Sequence, residues 1–490
     1  MKRNKTWLGV VASVFLLSSC SGIFNFSNSN SQTYIPPSST NGYYKADTLS
    51  ANYYQYGQAQ GTQFLPSLGN QKILVVPIDF SNSYKNSLPT DALDRLDKAF
   101  FGDSDDTSWQ SVASFYHESS YGRLTITGEV TPWVNLSIRS NYLDSISSSR
   151  GYLDPTYYVL EEVYKSLSTS TLAEYDLDKD GYIDALWLVY AAPTYAQSTA
   201  MSDTFWAYTY WYYQSDYLTP TSGKPIPGVY AWASYHFLED GYGTSGIDAH
   251  TFIHETGHIL GLDDYYDYDG KAAPMGYIDM MDANIIDHNA FSKIALGWIE
   301  PIVVTDSSTI TISPSYANQD AILINNSWNG LPFDEYILLE FYEPKGLNEK
   351  DSQAPYPDNN YQGFTIPGIR VYHVDARLVQ TRYDENFDLQ SFSYVDTITE
   401  GYQIGNSIFF TEIAHSNTPS RSIATDNYSF LSIVDGTTKF TRDSVADNQV
   451  LFLAGETLSL GNFNDGSKIG YSFEVLSISN DSATIKFTAQ

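Results

Sequence analysis

Residues 251–264 read TFIHETGHILGLDD, which carries the pattern H-E-x-x-H-x-x-G-x-x-D. In a helix, side chains four apart lie one above the other, so His254 and His258 project from one face and can reach a single ion. Glu255, on the neighbouring face, can address a water on that ion rather than the ion itself. Gly261 can adopt the left-handed conformation that ends a helix, after which the chain can double back. Asp264, three residues on, is the expected third ligand, with Asp263 and Asp267 as alternatives because the loop's geometry cannot be read from spacing. Three protein ligands leave a fourth zinc position for water, whose pKa a catalytic zinc lowers to about 7. The stretch therefore predicts a Zn2+ hydrolase centre in which Glu255, as general base, takes a proton from the attacking water and passes it to the leaving amine. The competing reading is an amphipathic helix with two chance histidines, which 8 His in the whole chain make improbable. His250 lies one turn earlier, as a support to the ligands or as a packing histidine.

Working outward, Lys72–Phe80 is a β-branched apolar run suited to a buried strand. Thr90 is expected to cap a helix through Phe101, and a second helix near Ser108 carries Val112, Phe115 and Tyr116. Leu124, Ile126 and Val130 alternate as in a strand, Pro155 opens a helix through Val159 and Val163, and Ile183–Ala192 reads as another buried strand. Strands and helices thus alternate over residues 71–300, an α/β (α+β) pattern. After Pro301 the texture changes to short alternating strands, among them Tyr336–Tyr342, Ile369–Val374 and Ala483–Phe487. Residues 301–490 are therefore expected to form an all-β region, sandwich-like in architecture.

Asp176, Asp178, Asp180 and Asp184 occupy positions 1, 3, 5 and 9 of a loop with Gly181 at position 6 and the Tyr182 carbonyl at position 7. This set of hard oxygen donors has the spacing that wraps Ca2+, against the alternative of a solvated acidic turn. Position 12, where such loops supply a bidentate glutamate, is Trp187.

Lys2, Arg3 and Lys5 followed by the apolar run Trp7–Leu17 read as a signal peptide over residues 1–20. Leu17-Ser-Ser-Cys20 resembles a lipobox, which implies cleavage before Cys20, its lipidation and a place on the extracellular face of a bacterial membrane; the alternative is ordinary signal cleavage near Ser19. Cys20 is the only cysteine, so no disulfide and no thiolate-bound zinc can form within the chain. Residues 21–70, rich in Ser, Asn, Gly, Gln and Tyr, read as a flexible tether. A net charge of -31, from 26 basic and 57 acidic residues, argues against a nucleic-acid partner. A monomer acting on polypeptides, touching membrane only through its anchor, is expected.

At the residues of the metal motif the chain resembles the immune inhibitor A-like metallopeptidases, secreted zinc endopeptidases related to the metzincins. The likeness extends to PMGYIDMMD at residues 274–282, DHNAFSKIALGW at 287–298, SFYHESSYGRLTITG at 114–128, EYILLE at 335–340 and GIRVYHVD at 368–375. It implies a metzincin-like catalytic domain, with Met281 as the turn methionine whose thioether packs beneath the zinc ligands and Met280 as the neighbour most easily confused with it. Many metzincins place a tyrosine two residues after that methionine; here the position is Ala283, which leaves the oxyanion stabiliser open, with Tyr265, Tyr266 and others available. Two other functions compete: a surface adhesion protein binding glycan or protein over a non-catalytic zinc site, and an amidase or glycan-associated peptidase, since zinc hydroxide attacks any suitably placed amide.

Overall fold

The computed structural model describes residues 34–213, 218, 223–435 and 444–490. The signal segment 1–20, Cys20 and the first part of the expected tether lie outside the described residues. The chain folds as a mixed α/β structure of several sheets with a strand-rich C-terminal region.

The longest strand of the first sheet, one in from its edge, is Gly69–Asp79. It pairs in parallel with Leu124–Val130 on one side and Leu186–Tyr190 on the other; Val229–Ser234 follows in parallel, and Tyr208–Trp211 closes the sheet antiparallel. Alternation sends successive side chains to opposite faces. Ile73, Val75, Trp187, Val189, Ala231 and Ala233 join one core, with Leu96, Phe100, Phe115 and Ile253 from the helices over that face. Leu74, Val76, Ile78, Leu188 and Trp232 join a second, with Tyr157, Leu160 and Val163. Both faces are covered, so the strands read as continuous apolar runs. Thr90 is not the cap expected of it: the residue preceding helix Ala92–Phe101 is Asp91, which makes no side-chain capping bond.

In the C-terminal region, the strands Ile302–Val304, Ile322–Ile324, Glu335–Tyr342, Gly368–Asp375 and Leu431–Val434 form one sheet. A second, antiparallel sheet of Ser308–Ile312, Ala483–Ala489, Tyr471–Ile478 and Thr457–Ser459 shares a core with it through Ile322, Ile337, Ile310, Phe473 and Ile485. The region is strand-rich rather than all-β, since it includes the short helix Glu349–Gln353. A third sheet, Leu389–Val395, Leu378–Tyr383, Ser407–Ile413 and Tyr402–Ile404, was not anticipated. Leu389–Val395 is exposed along almost its whole length, so neither of its faces is buried against a core.

The tether expected over residues 21–70 is corrected for its described part. Tyr43–Lys45 pairs antiparallel with Ile302–Val304, and helix Tyr53–Gln60 is capped by a reciprocal Asn52–Gln55 box. Composition hid this order because the buried area comes from aromatic rings such as Tyr53, which meets Phe333 edge-on at 5.2 Å, rather than from periodic aliphatics. The boundary expected at residue 300 also falls inside a continuous core, which holds Tyr53, Ile253 and Trp298 together with Tyr336, Leu338 and Tyr372. Among the described residues, no helix is long and apolar enough to cross a membrane.

Candidate metal centre

Helix His250–Ile259 packs its Phe252 and Ile253 into the core below the sheet, which turns His254, Glu255 and His258 toward the edge strand and the loop that follows. Gly261 ends the helical run with φ 105°, a backbone conformation that side chains rarely adopt, and a Cβ there would also crowd Tyr53 Cβ at 3.0 Å. The chain then doubles back as expected and delivers Asp264. Asp264 Oδ1 lies 2.9 Å from His254 Nε2 and 3.3 Å from His258 Nε2, and the two Nε2 atoms are 3.2 Å apart. Tetrahedral ligands at about 2.0–2.1 Å from a zinc ion stand about 3.3 Å from one another, so these three atoms fit the group.

The orientation of each ring is fixed from behind. His254 Nδ1 donates to the Met280 carbonyl at 2.8 Å and His258 Nδ1 to the Leu262 carbonyl at 2.7 Å. A carbonyl can only accept, so in the neutral rings the proton sits on Nδ1 and the Nε2 lone pairs face the centre. Burial works against charge on Asp264, but the two imidazoles outweigh it and hold the carboxyl well below the usual carboxylate range. Burial likewise opposes a His258 imidazolium, yet the Asp264 carboxylate pushes its pKa up to about 10. A cation bound here would take the place of those protons.

Asp264 rather than its neighbours completes the set. Asp267 turns away to close its own loop, accepting from Asp269 N and Lys271 N at 2.9 Å and Ala272 N at 3.1 Å. Asp263 lies outside the converging group, with its carboxyl raised to about 6 by burial. Of the two methionines, Met280 gives the carbonyl behind His254, whereas Met281 lies against the helix: a Cβ on Gly257 would fall 2.5 Å from Met281 Sδ. The thioether thus packs against the backbone of the helix that carries the two histidines, at Gly257. His250 is a packing residue; its Nδ1 is 2.6 Å from Asp248 Oδ1 and its ring stacks between Trp109 at 4.5 Å and Tyr356 at 4.2 Å.

Glu255 is buried beside the group without belonging to it. Its Oε2 accepts from Thr209 Oγ1 at 3.1 Å, so the edge strand Tyr208–Trp211 orients it. Burial raises the Glu255 pKa above the usual range, and the imidazoles of His258 and His254 pull against that rise.

Of the tyrosines named for a donor role, Tyr265 is committed elsewhere, its hydroxyl 2.7 Å from Ser292 Oγ in the core. Tyr268, which is not among the residues named above for the site, donates its hydroxyl to Asp264 Oδ2. Its only signal was its place in the aromatic-acidic run YYDYD at residues 265–269.

In the acidic loop, carboxylate oxygens of Asp176, Asp178 and Asp184 converge. Asp180 is not brought into that group; its Oδ1 accepts from Tyr182 N at 2.8 Å, and Tyr182 opens the short strand Tyr182–Ile183. Asp184 accepts from Leu177 N at 2.9 Å, and its pKa is pushed up to about 7 by burial, with Asp178 and Asp176 adding to the rise. Asp176 Oδ1 is buried without a hydrogen-bond partner. Trp187, at loop position 12, is fully buried in the core. Tyr54, from the N-terminal helix, donates to Asp178 Oδ2 at 3.1 Å. Comparison of the whole chain with known protein families and with curated proteins finds no match.

Proposed function

We propose that the chain is a zinc-dependent endopeptidase with a metzincin-like catalytic region, related to the immune inhibitor A-like metallopeptidases. The observation that carries this reading is the convergence of His254 Nε2, His258 Nε2 and Asp264 Oδ1 beside a carboxylate, Glu255, that is buried but not part of the converging set. Zinc, when bound, polarises a carbonyl and acidifies water. Glu255, held by Thr209, takes a proton from water as the new C–O bond forms and delivers it to the amine nitrogen as the C–N bond breaks. Tyr208–Trp211 has no second strand neighbour among the described residues, which suits it to receive an extended peptide along its free edge. A purely structural zinc site closes its fourth position and has no use for such a base, which weighs against the adhesion reading. The expected result is that 1,10-phenanthroline abolishes cleavage of casein and added Zn2+ restores it; full activity in metal-free protein refutes the proposal.

The lipobox-like Leu17-Ser-Ser-Cys20 run supports anchoring by lipid at the outer face of a bacterial membrane. Asp176, Asp178 and Asp184 are proposed to hold a structural Ca2+, their carboxylates being the hard oxygen donors that ion prefers. The sign of the pH effect follows from Asp184. Its folded pKa, about 7, is above the ordinary carboxyl value, so the folded state keeps a proton that the unfolded state releases, and stability falls as pH rises toward 7. Calcium removes that penalty. Without calcium the protein should melt lower at pH 7.5 than at pH 5, and Ca2+ at one hundred times its pH 7.5 Kd should add about 2.7 kcal/mol at that pH, the same concentration adding less at pH 5. Identical melting curves with and without Ca2+ at pH 7.5 would remove this site.

A further inference from the structure

The loop that follows Asp264 is fastened from a segment 150 residues further along the chain. Asn417 Nδ2 donates to the Tyr265 carbonyl at 2.7 Å, while its Oδ1 accepts from Leu431 N at 2.9 Å. Tyr268 N donates to Thr418 Oγ1 at 2.9 Å. The Arg421 guanidinium, at the end of the turn Pro419–Arg421, lies 3.5 Å from the centroid of the Tyr268 ring. Asn417 and Thr418 are 2% and 1% exposed, so their bonds are shielded from water, whereas Tyr268 is 46% exposed. A tyrosine so open to solvent would ordinarily sample several rotamers. Here the backbone tie at one end and the planar cation on its face favour one, and in it the hydroxyl donates to Asp264 Oδ2.

That bond selects between two ways in which Asp264 can serve an ion. A carboxylate offers one oxygen or both. With Oδ2 engaged by Tyr268, Oδ1 alone faces the imidazoles, at 2.9 and 3.3 Å. We propose that Tyr268, clamped by Arg421 and Thr418 of the C-terminal region, is a positioning residue that keeps Asp264 a one-oxygen ligand and so preserves an open position at the metal. The C-terminal region is then part of the metal site and not an appended module.

The inference rests on the zinc reading above, and Co2+ substitution separates the two. Four-coordinate Co2+ absorbs visible light more strongly than five-coordinate Co2+. Tyr268→Phe, which keeps the ring beneath Arg421, should bind Co2+ with a weakened visible band and lose about 10- to 100-fold in kcat with KM unchanged, the range expected for partners of metal ligands. Arg421→Ala leaves the hydroxyl present but unclamped and should shift both readouts in the same direction; Arg421→Lys, which keeps charge but not the stacking plane, should fall between. If wild type takes up no Co2+, the zinc reading and this inference fall together. If wild type binds Co2+ and cleaves peptide while the spectra and kcat of Tyr268→Phe and Arg421→Ala superimpose on its own, the positioning role alone is overturned.

Discussion

Glu255→Gln should leave the metal bound and all but abolish proteolysis. The substitution keeps the shape of the side chain and its contact with Thr209 Oγ1, at 3.1 Å in the wild type, while removing its capacity to accept a proton. General acid–base catalysis by one positioned group contributes about 10²- to 10⁴-fold, and the whole of that factor is placed on this carboxylate. The neighbouring imidazoles are fixed by the carbonyls of Met280 and Leu262, not by Glu255, so zinc content should stay that of the wild type. Metal analysis and casein hydrolysis on one sample decide the matter: activity near the wild-type level in a zinc-loaded variant would end the proposed mechanism.

The second large effect is expected at Asp264. Asp264→Ala removes the only anion of the converging set and leaves two imidazoles, that of His254 buried and that of His258 half-buried, facing each other at 3.2 Å. Partners that merely support a metal ligand are worth about 10- to 100-fold in affinity, so loss of the ligand itself should exceed about 100-fold and take the activity with it. Asp263→Ala is the matched control. That carboxyl is raised to about 6 by burial and lies outside the set, so zinc affinity should hold. Competition against a chromophoric chelator reads both variants, and a reversed order would move the third ligand to Asp263.

The metal motif was legible because its logic is local. His254, Glu255 and His258 lie within one helical turn and Gly261 with Asp264 within two more, where spacing alone decides which face a side chain takes. The buried strands around Val75, Leu188 and Ala231 were legible for a related reason, since apolar residues on both faces leave an unbroken β-branched run. Composition misjudged residues 34–68 because Tyr53 is buried by partners as distant as Phe333, and no local pattern records that contact.

Sequence by itself determined the donor types and their order along the chain: two imidazoles, a base, a glycine stop and an acidic cluster in which Asp264 was the expected third ligand and Asp263 and Asp267 the alternatives. Tertiary structure alone decided among them, turning Asp267 onto the amides of Asp269, Lys271 and Ala272 and Asp264 onto the histidines. It also brought Met281 under Gly257, Thr209 onto Glu255 and Arg421 over Tyr268. The physical reason is range. Helical periodicity acts over a few residues, whereas a ligand's second oxygen, a base's orientation and a ring's rotamer are set by atoms that only the packed chain makes neighbours.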